Sequence, residues 1–410
     1  MMKVLPASKR CLFILLTMTV AGYLVVTCTK SLHQTPLTDV QVEHNSTITR
    51  NLHQQQLWEL EPSGGQNSSF QGNCTPVRQI VFIKTHKTAS STTNTMIQHY
   101  GLKHGLVFAL PKNTQLFDVN RMFSRAMMLQ PTAPPDKGGV FNILANHLRY
   151  NRPELQRAVP GARYITILRH PVSKFESTFG YYRAAEHFNL TDYRNPLETF
   201  MESPDILMEQ HSFGMKNQLR NGMMFTLGFD HKFDDDVLAI DRYITKLDIE
   251  LDLVLLTEYY DESLLLLKKL LCWDFEDILY IPKGYRSQNR RYNVSVGLAK
   301  KILDWNLADH RLYDHFNQTF WSKVAEYGPE FERDLAEFRT RQENFYQSCV
   351  AEDKVKMLQN RVDGLVMRHD APVECELGFF SVIEFYRMLK REYMGIREVP
   401  NKYTIHSPKK

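Results

Sequence analysis

The sequence is short of several things that mark common function classes. Lysine and arginine exceed aspartate and glutamate by only 50 to 46 over 410 residues, with no block of like charges. Nucleic acid therefore finds no electrostatic footing, and none is expected as a partner. The six cysteines contain no C-x-x-C pair, so zinc-ligand spacing is absent and no metal site is expected. No internal repeat is visible, which argues against a solenoid. Glycine is missing where it would matter most. The stretch FIKTHKTASSTTN, residues 82–94, sits between an apolar run and a helical pattern, as a phosphate-binding loop would. A Walker A loop needs G-x-x-x-x-G-K-[ST]. Without those glycines, ordinary ATP or GTP hydrolysis is disfavoured.

What is present begins at the N-terminus. Residues 11–29, CLFILLTMTVAGYLVVTCT, carry no charge across 19 positions, enough to cross a hydrocarbon core of about 30 Å. Lys3, Lys9 and Arg10 precede this run, which predicts a signal anchor with residues 1–10 cytoplasmic and the remainder lumenal. A cleaved signal peptide is the alternative, but the run is long for one, and Thr27-Cys28-Thr29 makes a poor cleavage site. Six N-x-S/T sequons, at Asn45, Asn67, Asn73, Asn189, Asn293 and Asn317, fit a lumenal chain. Cys11 and Cys28 fall within the apolar run. Cys74, Cys272, Cys349 and Cys375 then face an oxidising compartment, where one or two disulfides are expected and three pairings are open.

Residues 30–75 are rich in Gln, Asn, Ser, Thr and His and read as a stem. Beyond it, short apolar runs read as buried strands: QIVFIK (79–84), VFNILAN (140–146), RYITIL (163–168) and LDLVLL (251–256). Helical patterns alternate with them. Thr93, Met96, Ile97 and Tyr100 fall at helical spacing, with Gly101 as the stop; 173–183 and 263–272 follow, the latter capped by Asp261. Residues 300–350 read as polar-faced helices. The alternation predicts a three-layer α/β domain over 76–350 with a mainly parallel sheet. Residues 353–367 and 376–394 read as two more helices, making 351–410 a helical C-terminal extension. The second, apolar with a basic end, either packs on the core or lies on a membrane leaflet.

Two segments carry candidate chemistry. In the first, THKTASST leads into a helix, whose N-terminal N–H groups and dipole suit an anion. Hydroxyls of Thr88, Ser90, Ser91 and Thr92 and the ammonium of Lys84 or Lys87 can add to that cradle. The bland reading is a solvated helix start with two surface lysines. In the second, RYITILRHPVSKFESTFGYY (163–182) again runs from strand to turn to helix. Arg169 follows the strand and Ser177 lies eight residues on, a spacing at which fork and hydroxyl can grip a second phosphate. A strand-end salt bridge and an ordinary helix hydroxyl are the bland readings here.

Together the two segments resemble the 5′- and 3′-phosphosulfate-binding motifs of Golgi sulfotransferases, whose donor is 3′-phosphoadenosine 5′-phosphosulfate (PAPS). KTASST is similar to the donor loop of uronyl 2-O-sulfotransferases. The longer FIKTHKTASST looks like that of the galactose 3-O-sulfotransferase family, as do FNILANHLR, LVLLTEYYDESLLLLKKLLCW and DHRLYDHFNQTFW. The resemblance covers roughly residues 76–350. It implies a P-loop-like sulfotransferase fold, PAPS as co-substrate without a metal, and a terminal β-galactoside on a glycolipid or glycoprotein glycan as acceptor. It further implies that Lys87 stabilises the bridging oxygen, that Thr88, Ala89, Ser90, Ser91 and Thr92 wrap the 5′-phosphate, and that Arg169 and Ser177 hold the 3′-phosphate. Lys84 is a second cation.

The acceptor hydroxyl needs a base, and histidine suits that work near neutral pH. His147, directly after the predicted strand in NILANHLRY, is the candidate. His86 is its rival, and Glu176 or Glu258 stand behind both. Tyr181, Tyr182, Trp305 and Trp321 are candidate sugar-stacking aromatics. A homodimer and a Golgi membrane location complete the expectations, with glycolipid acceptors slightly favoured. A lumenal nucleotide-dependent kinase and a non-catalytic glycan-binding membrane protein are the competing readings.

Overall fold

The computed structural model describes residues 74–130, 141–211, 214–286, 291–357 and 362–394. The predicted anchor, the stem and the sequons at Asn45, Asn67 and Asn73 lie outside these residues. Among the described residues no helix is long and apolar enough to cross a membrane.

Strand β1 (Ile80–Ile83) feeds helix α1 (Ser90–Lys103); β2 (Ile143–Leu144) and helix α2 (Arg152–Ala158) lead to β3 (Arg163–Leu168) and helix α3 (Pro171–Tyr181). Helix α4 (Val237–Glu250), β4 (Leu253–Leu256) and helix α5 (Tyr260–Leu271) follow. The four strands form one parallel sheet in the order β2-β1-β3-β4. Every residue of β1 and β4, and all of β3 except Arg163, is buried. That is the pattern of a parallel sheet covered on both faces, and it explains why these strands read as unbroken apolar runs.

From β1 the chain crosses to β2 on one side, whereas from β3 it crosses to β4 on the other. Right-handed crossovers in opposite directions place α1 on one face of the sheet and α2 to α4 on the other. Helix α5 lies on the α1 side, where the Tyr260 hydroxyl is 3.0 Å from Thr93 Oγ1. The direction changes between β1 and β3, and a crevice therefore opens outside the carboxyl ends of those two strands.

Downstream, β5 (Tyr285–Arg286) precedes helices α6 (Val296–Trp305), α7 (Leu307–Tyr327) and α8 (Phe331–Cys349). Strands β6 (Val350–Met357) and β7 (Val362–Met367) form an antiparallel sheet with β5, and helix α9 (Val382–Tyr393) ends the described chain. The helix expected over 353–367 is thus a hairpin, and the extension is only partly helical. Leu365 and Met367 pack towards a small cluster around Ile281, Cys349 and Cys375, while Val366 between them is exposed. This period-two burial decides for strand over the helix-friendly Lys and Gln content. The disulfide Cys349–Cys375 staples this unit and Cys74–Cys272 ties the chain before β1 to the end of α5, selecting one of the three pairings.

Three local expectations are corrected. Helix α1 continues through Gly101 to Lys103; a Cβ at 101 would collide with Phe108 and Ile143, so this glycine serves close packing rather than a stop. Asp261 lies in the first turn of α5, whose cap position is Tyr259. VFNILAN yields a strand of only two residues at the sheet edge. The helix expected over 376–394 is broken: a short helix at Glu376–Phe379 stops at extended Phe380, and Ser381 caps α9, which buries Phe385, Tyr386 and Leu389 in the main core and settles core packing for that face.

Candidate active site

Both candidate phosphate loops end at the carboxyl edge of the sheet, one after β1 and one after β3. Between β1 and α1, Lys87 has φ 63° and Ala89 φ 59°. Left-handed residues alternating along a turn aim successive N–H groups into one concavity, a shape that binds anions. Ala89 directly precedes α1, and no side chain caps that helix. Its first-turn N–H groups and dipole therefore face the same concavity. The loop adopts the backbone that glycine would usually supply, at a cost of about 1–2 kcal/mol for each left-handed residue with a Cβ.

Neighbouring hydroxyls hold this strained backbone. Thr85 Oγ1 lies 2.7 Å from Thr88 Oγ1 and donates to Ile167 O, while Ser90 Oγ donates to Thr85 O. Thr257 Oγ1, just past β4, reaches Thr88 O and Leu168 O at 2.9 Å each, joining both loops. Thr92 Oγ1 accepts from Lys283 N–H at 3.0 Å. The hydroxyls of Thr88, Ser90 and Thr92 thus brace the loop and the start of α1. Ala89→Gly should relieve strain, and its thermal unfolding should match or exceed that of the parent chain. Ala89→Val should lose about 1–3 kcal/mol. A clear loss in the glycine variant would contradict the left-handed backbone.

The charges converge on the same place. Lys84 is 2 % exposed, and burial lowers its pKa to about 7. Lys87 Nζ sits 3.6 Å from the centroid of the Tyr181 ring. Arg169 Nη1 donates to Lys87 O at 3.2 Å, so the β3–α3 turn touches the first loop directly. Ser177 is buried two turns into α3. On the same helix, Lys174 is buried with Nζ bonded to Gln218 O and 3.9 Å from the buried Asp309 carboxylate. Burial lowers the Lys174 pKa and raises that of Asp309. Sequence reading missed this pair because its members lie on α3 and α7, far apart in the chain.

On the acceptor side, His147 Nδ1 lies 2.8 Å from Lys84 O. A carbonyl can only accept, so Nδ1 carries the proton and Nε2 is left as the basic nitrogen. His147 stacks on His86, centroids 4.0 Å apart and planes 15° off parallel. His86 Nδ1 is 2.9 Å from the Tyr182 hydroxyl, and its Nε2 is buried without a partner. Burial first, then the nearby His86 and Lys84, holds the His147 pKa well below the usual histidine range. Burial, Lys174, Lys84 and Lys87 push His86 down to about 3. Both rings are neutral at physiological pH. His86 Nε2 is buried, whereas the half-buried His147 commits only Nδ1, so of the two His147 is the stronger candidate for a base.

The carboxylates offered as substitutes are engaged. Glu176 accepts from Tyr292 N–H at 2.8 Å, and Glu258 takes His170 N–H and the Tyr313 hydroxyl at 3.0 Å each. Trp305 belongs to a buried aromatic cluster with Phe175 and Phe200, and Trp321 packs against the main core. Tyr181 and Tyr182 instead contact Lys87 and His86. Among the described residues no group of three or more His, Cys, Asp or Glu is placed to hold a metal ion.

A family model described as Galactose-3-O-sulfotransferase matches residues 5–368. The chain belongs to the galactose-3-O-sulfotransferase family. The match extends past both ends of the stretch that carries the resemblance in sequence, taking in β6 and β7. Among curated proteins, galactosylceramide sulfotransferase of Bos taurus is 39% identical over 282 residues, covering 68% of this chain and 66% of that protein. Galactose-3-O-sulfotransferase 3 of Bos taurus is 35% identical over 284 residues, covering 67% and 65%. The matched stretch thus spans just under two thirds of the length of these two relatives. A solved sulfotransferase from Alicyclobacillus acidocaldarius aligns at TM-score 0.33 and 13% identity, over 58% of this chain and 96% of that one.

Proposed function

We propose that this galactose-3-O-sulfotransferase family member transfers a sulfuryl group from PAPS to the 3-hydroxyl of a terminal β-galactose. The acceptor is a glycolipid such as galactosylceramide or lactosylceramide, or a glycoprotein glycan. The names of the relatives support galactose and galactosylceramide as acceptor chemistry. One observation carries the mechanism: His147 commits Nδ1 to the carbonyl of Lys84, directly after β1 and ahead of the donor loop, which leaves Nε2 as its basic nitrogen.

The cradle fits the donor. The nest at Lys87–Ala89 and the uncapped start of α1, with Thr88, Ser90, Ser91 and Thr92, suit a 5′-phosphosulfate, and Arg169 with Ser177 is assigned to the 3′-phosphate. PAPS, when bound, supplies the sulfuryl group. His147 Nε2 takes the proton from the sugar hydroxyl as its oxygen bonds to sulfur. The sulfur–oxygen bond to phosphate breaks, and the electron pair stays on the bridging oxygen. Lys87, whose ammonium now rests over Tyr181 on a flexible stem, neutralises that charge.

We place the enzyme in the Golgi membrane as a single-pass protein anchored by residues 11–29, with its catalytic unit lumenal. The two disulfides support an oxidising compartment. Asn189 and Asn293 are exposed and Asn317 is half-buried on α7, so the first two are the better glycan carriers.

The donor assignment is tested by ligand-induced stabilisation. The product 3′-phosphoadenosine 5′-phosphate should raise the Tm and ATP should not; the reverse would favour the kinase reading. Binding should also take up a proton. A bound anion raises the pKa of Lys84 from about 7, so at pH 8 an ammonium must form on binding, and affinity should fall as pH rises above 7. Titration calorimetry at pH 8 in Hepes and in Tris should give different apparent enthalpies. Equal enthalpies would refute this linkage.

A further inference from the structure

We propose that helix α9 fixes the segment Lys112–Leu116, and that this segment forms the acceptor-side wall beside His147, selecting the glycan beyond the reacting galactose. The proposal rests on the galactoside reading above. Three side chains of α9 bond the backbone at the start of that segment and just ahead of it. The Tyr393 hydroxyl receives Phe108 N–H and donates to Phe108 O at 2.8 Å. The Tyr386 hydroxyl donates to Pro111 O at 3.2 Å, and Lys390 Nζ to Lys112 O at 3.0 Å.

The other end of the same segment meets the base. Asn146 Nδ2 donates to Gln115 O at 2.8 Å, and Phe117 N–H donates to His147 O at 2.9 Å. One short stretch of chain is therefore clipped by α9 at its start and by the residues carrying the base at its end. Between the clips Lys112, Asn113 and Thr114 are exposed and Gln115 is half-buried. An ammonium, two amides and a hydroxyl are the groups that recognise sugar hydroxyls. Lys112 N–H also bonds Met127 O at 3.1 Å, so loosening α9 should displace the wall without unfolding it.

The location of the clip is what makes it informative. The family match ends at residue 368, whereas α9 begins at Val382. The residues assigned to donor binding and proton transfer lie inside the match, and the element that positions the acceptor wall lies outside it. The helix proposed to position the acceptor wall thus lies beyond the matched residues.

Two variants separate the effects. Tyr386→Phe with Tyr393→Phe keeps both rings in the core and removes the hydroxyl clips. Lys112→Ala with Asn113→Ala alters only exposed side chains. The first pair should increase hydrogen exchange at residues 108–117 and raise KM for lactosylceramide about three- to tenfold, leaving affinity for 3′-phosphoadenosine 5′-phosphate within about twofold. The second pair should raise acceptor KM without changing exchange at residues 108–111. Unchanged acceptor KM in both, or a parallel loss of donor affinity, would overturn the proposal. Absence of transfer by the parent chain would instead overturn the galactoside reading, and the exchange experiment would still decide whether α9 holds the wall.

Discussion

His147→Asn is expected to lower kcat by about 10²–10⁴-fold, the usual contribution of a positioned general base, while leaving donor-product affinity within a few-fold. Asparagine is chosen because its side-chain amide can still donate to the Lys84 carbonyl, which His147 Nδ1 does now at 2.8 Å. The local fold is kept and only the basic nitrogen is removed. His147→Ala removes both and should be no more active. His86→Ala should cost much less, about tenfold, since its Nε2 is buried and its ring only backs the base. Because the His147 pKa is held well below the usual range, the parent enzyme should keep its base deprotonated, and its activity, as pH falls through 6.5. A kcat for His147→Asn within tenfold of the parent would remove His147 from the chemistry.

Lys87→Ala is expected to reduce kcat by about 10²–10³-fold, as loss of one group aimed at developing oxyanion charge does, with a smaller loss in donor affinity. The left-handed backbone at Lys87 calls for a second variant. Lys87→Gly keeps the turn without strain and lacks the ammonium. Both variants should be equally impaired, because the proposed role belongs to the side chain. Substantial activity in the glycine variant would mean that the backbone nest alone carries the donor chemistry. Single-turnover rates with saturating PAPS measure this without interference from product release.

Much of this was legible in the sequence, for reasons the structure makes plain. β1, β3 and β4 appear as apolar runs because both faces of the parallel sheet are covered, and their boundaries fall within two residues of those expected. The two candidate phosphate loops stand out in the sequence because each interrupts a strand-to-helix transition, where anion sites form. The left-handed backbone that the first loop adopts without glycine was not legible. Positive φ at Lys87 and Ala89 is maintained by Thr85, Ser90 and Thr257, whose bonds join three different strand ends. Thr85 and Ser90 lie in the loop the sequence singles out, but their bracing role depends on partners across the fold, as does that of Thr257. The hairpin at 350–367 was missed because its pairing and its disulfide decide against local helical propensity. Tyr182 was noted as a sugar contact, yet it holds His86, 96 residues away, a relation that only the fold creates.

The most direct test is transfer itself. The full-length chain in detergent should be incubated with ³⁵S-labelled PAPS and, separately, galactosylceramide, lactosylceramide and N-acetyllactosamine, followed by linkage analysis of the labelled sugar. We predict label on the 3-position of terminal galactose in at least one acceptor, with a rate reduced at least about 100-fold in His147→Asn and Lys87→Gly. No label on any galactoside, or label formed at an undiminished rate in both variants, would contradict the account.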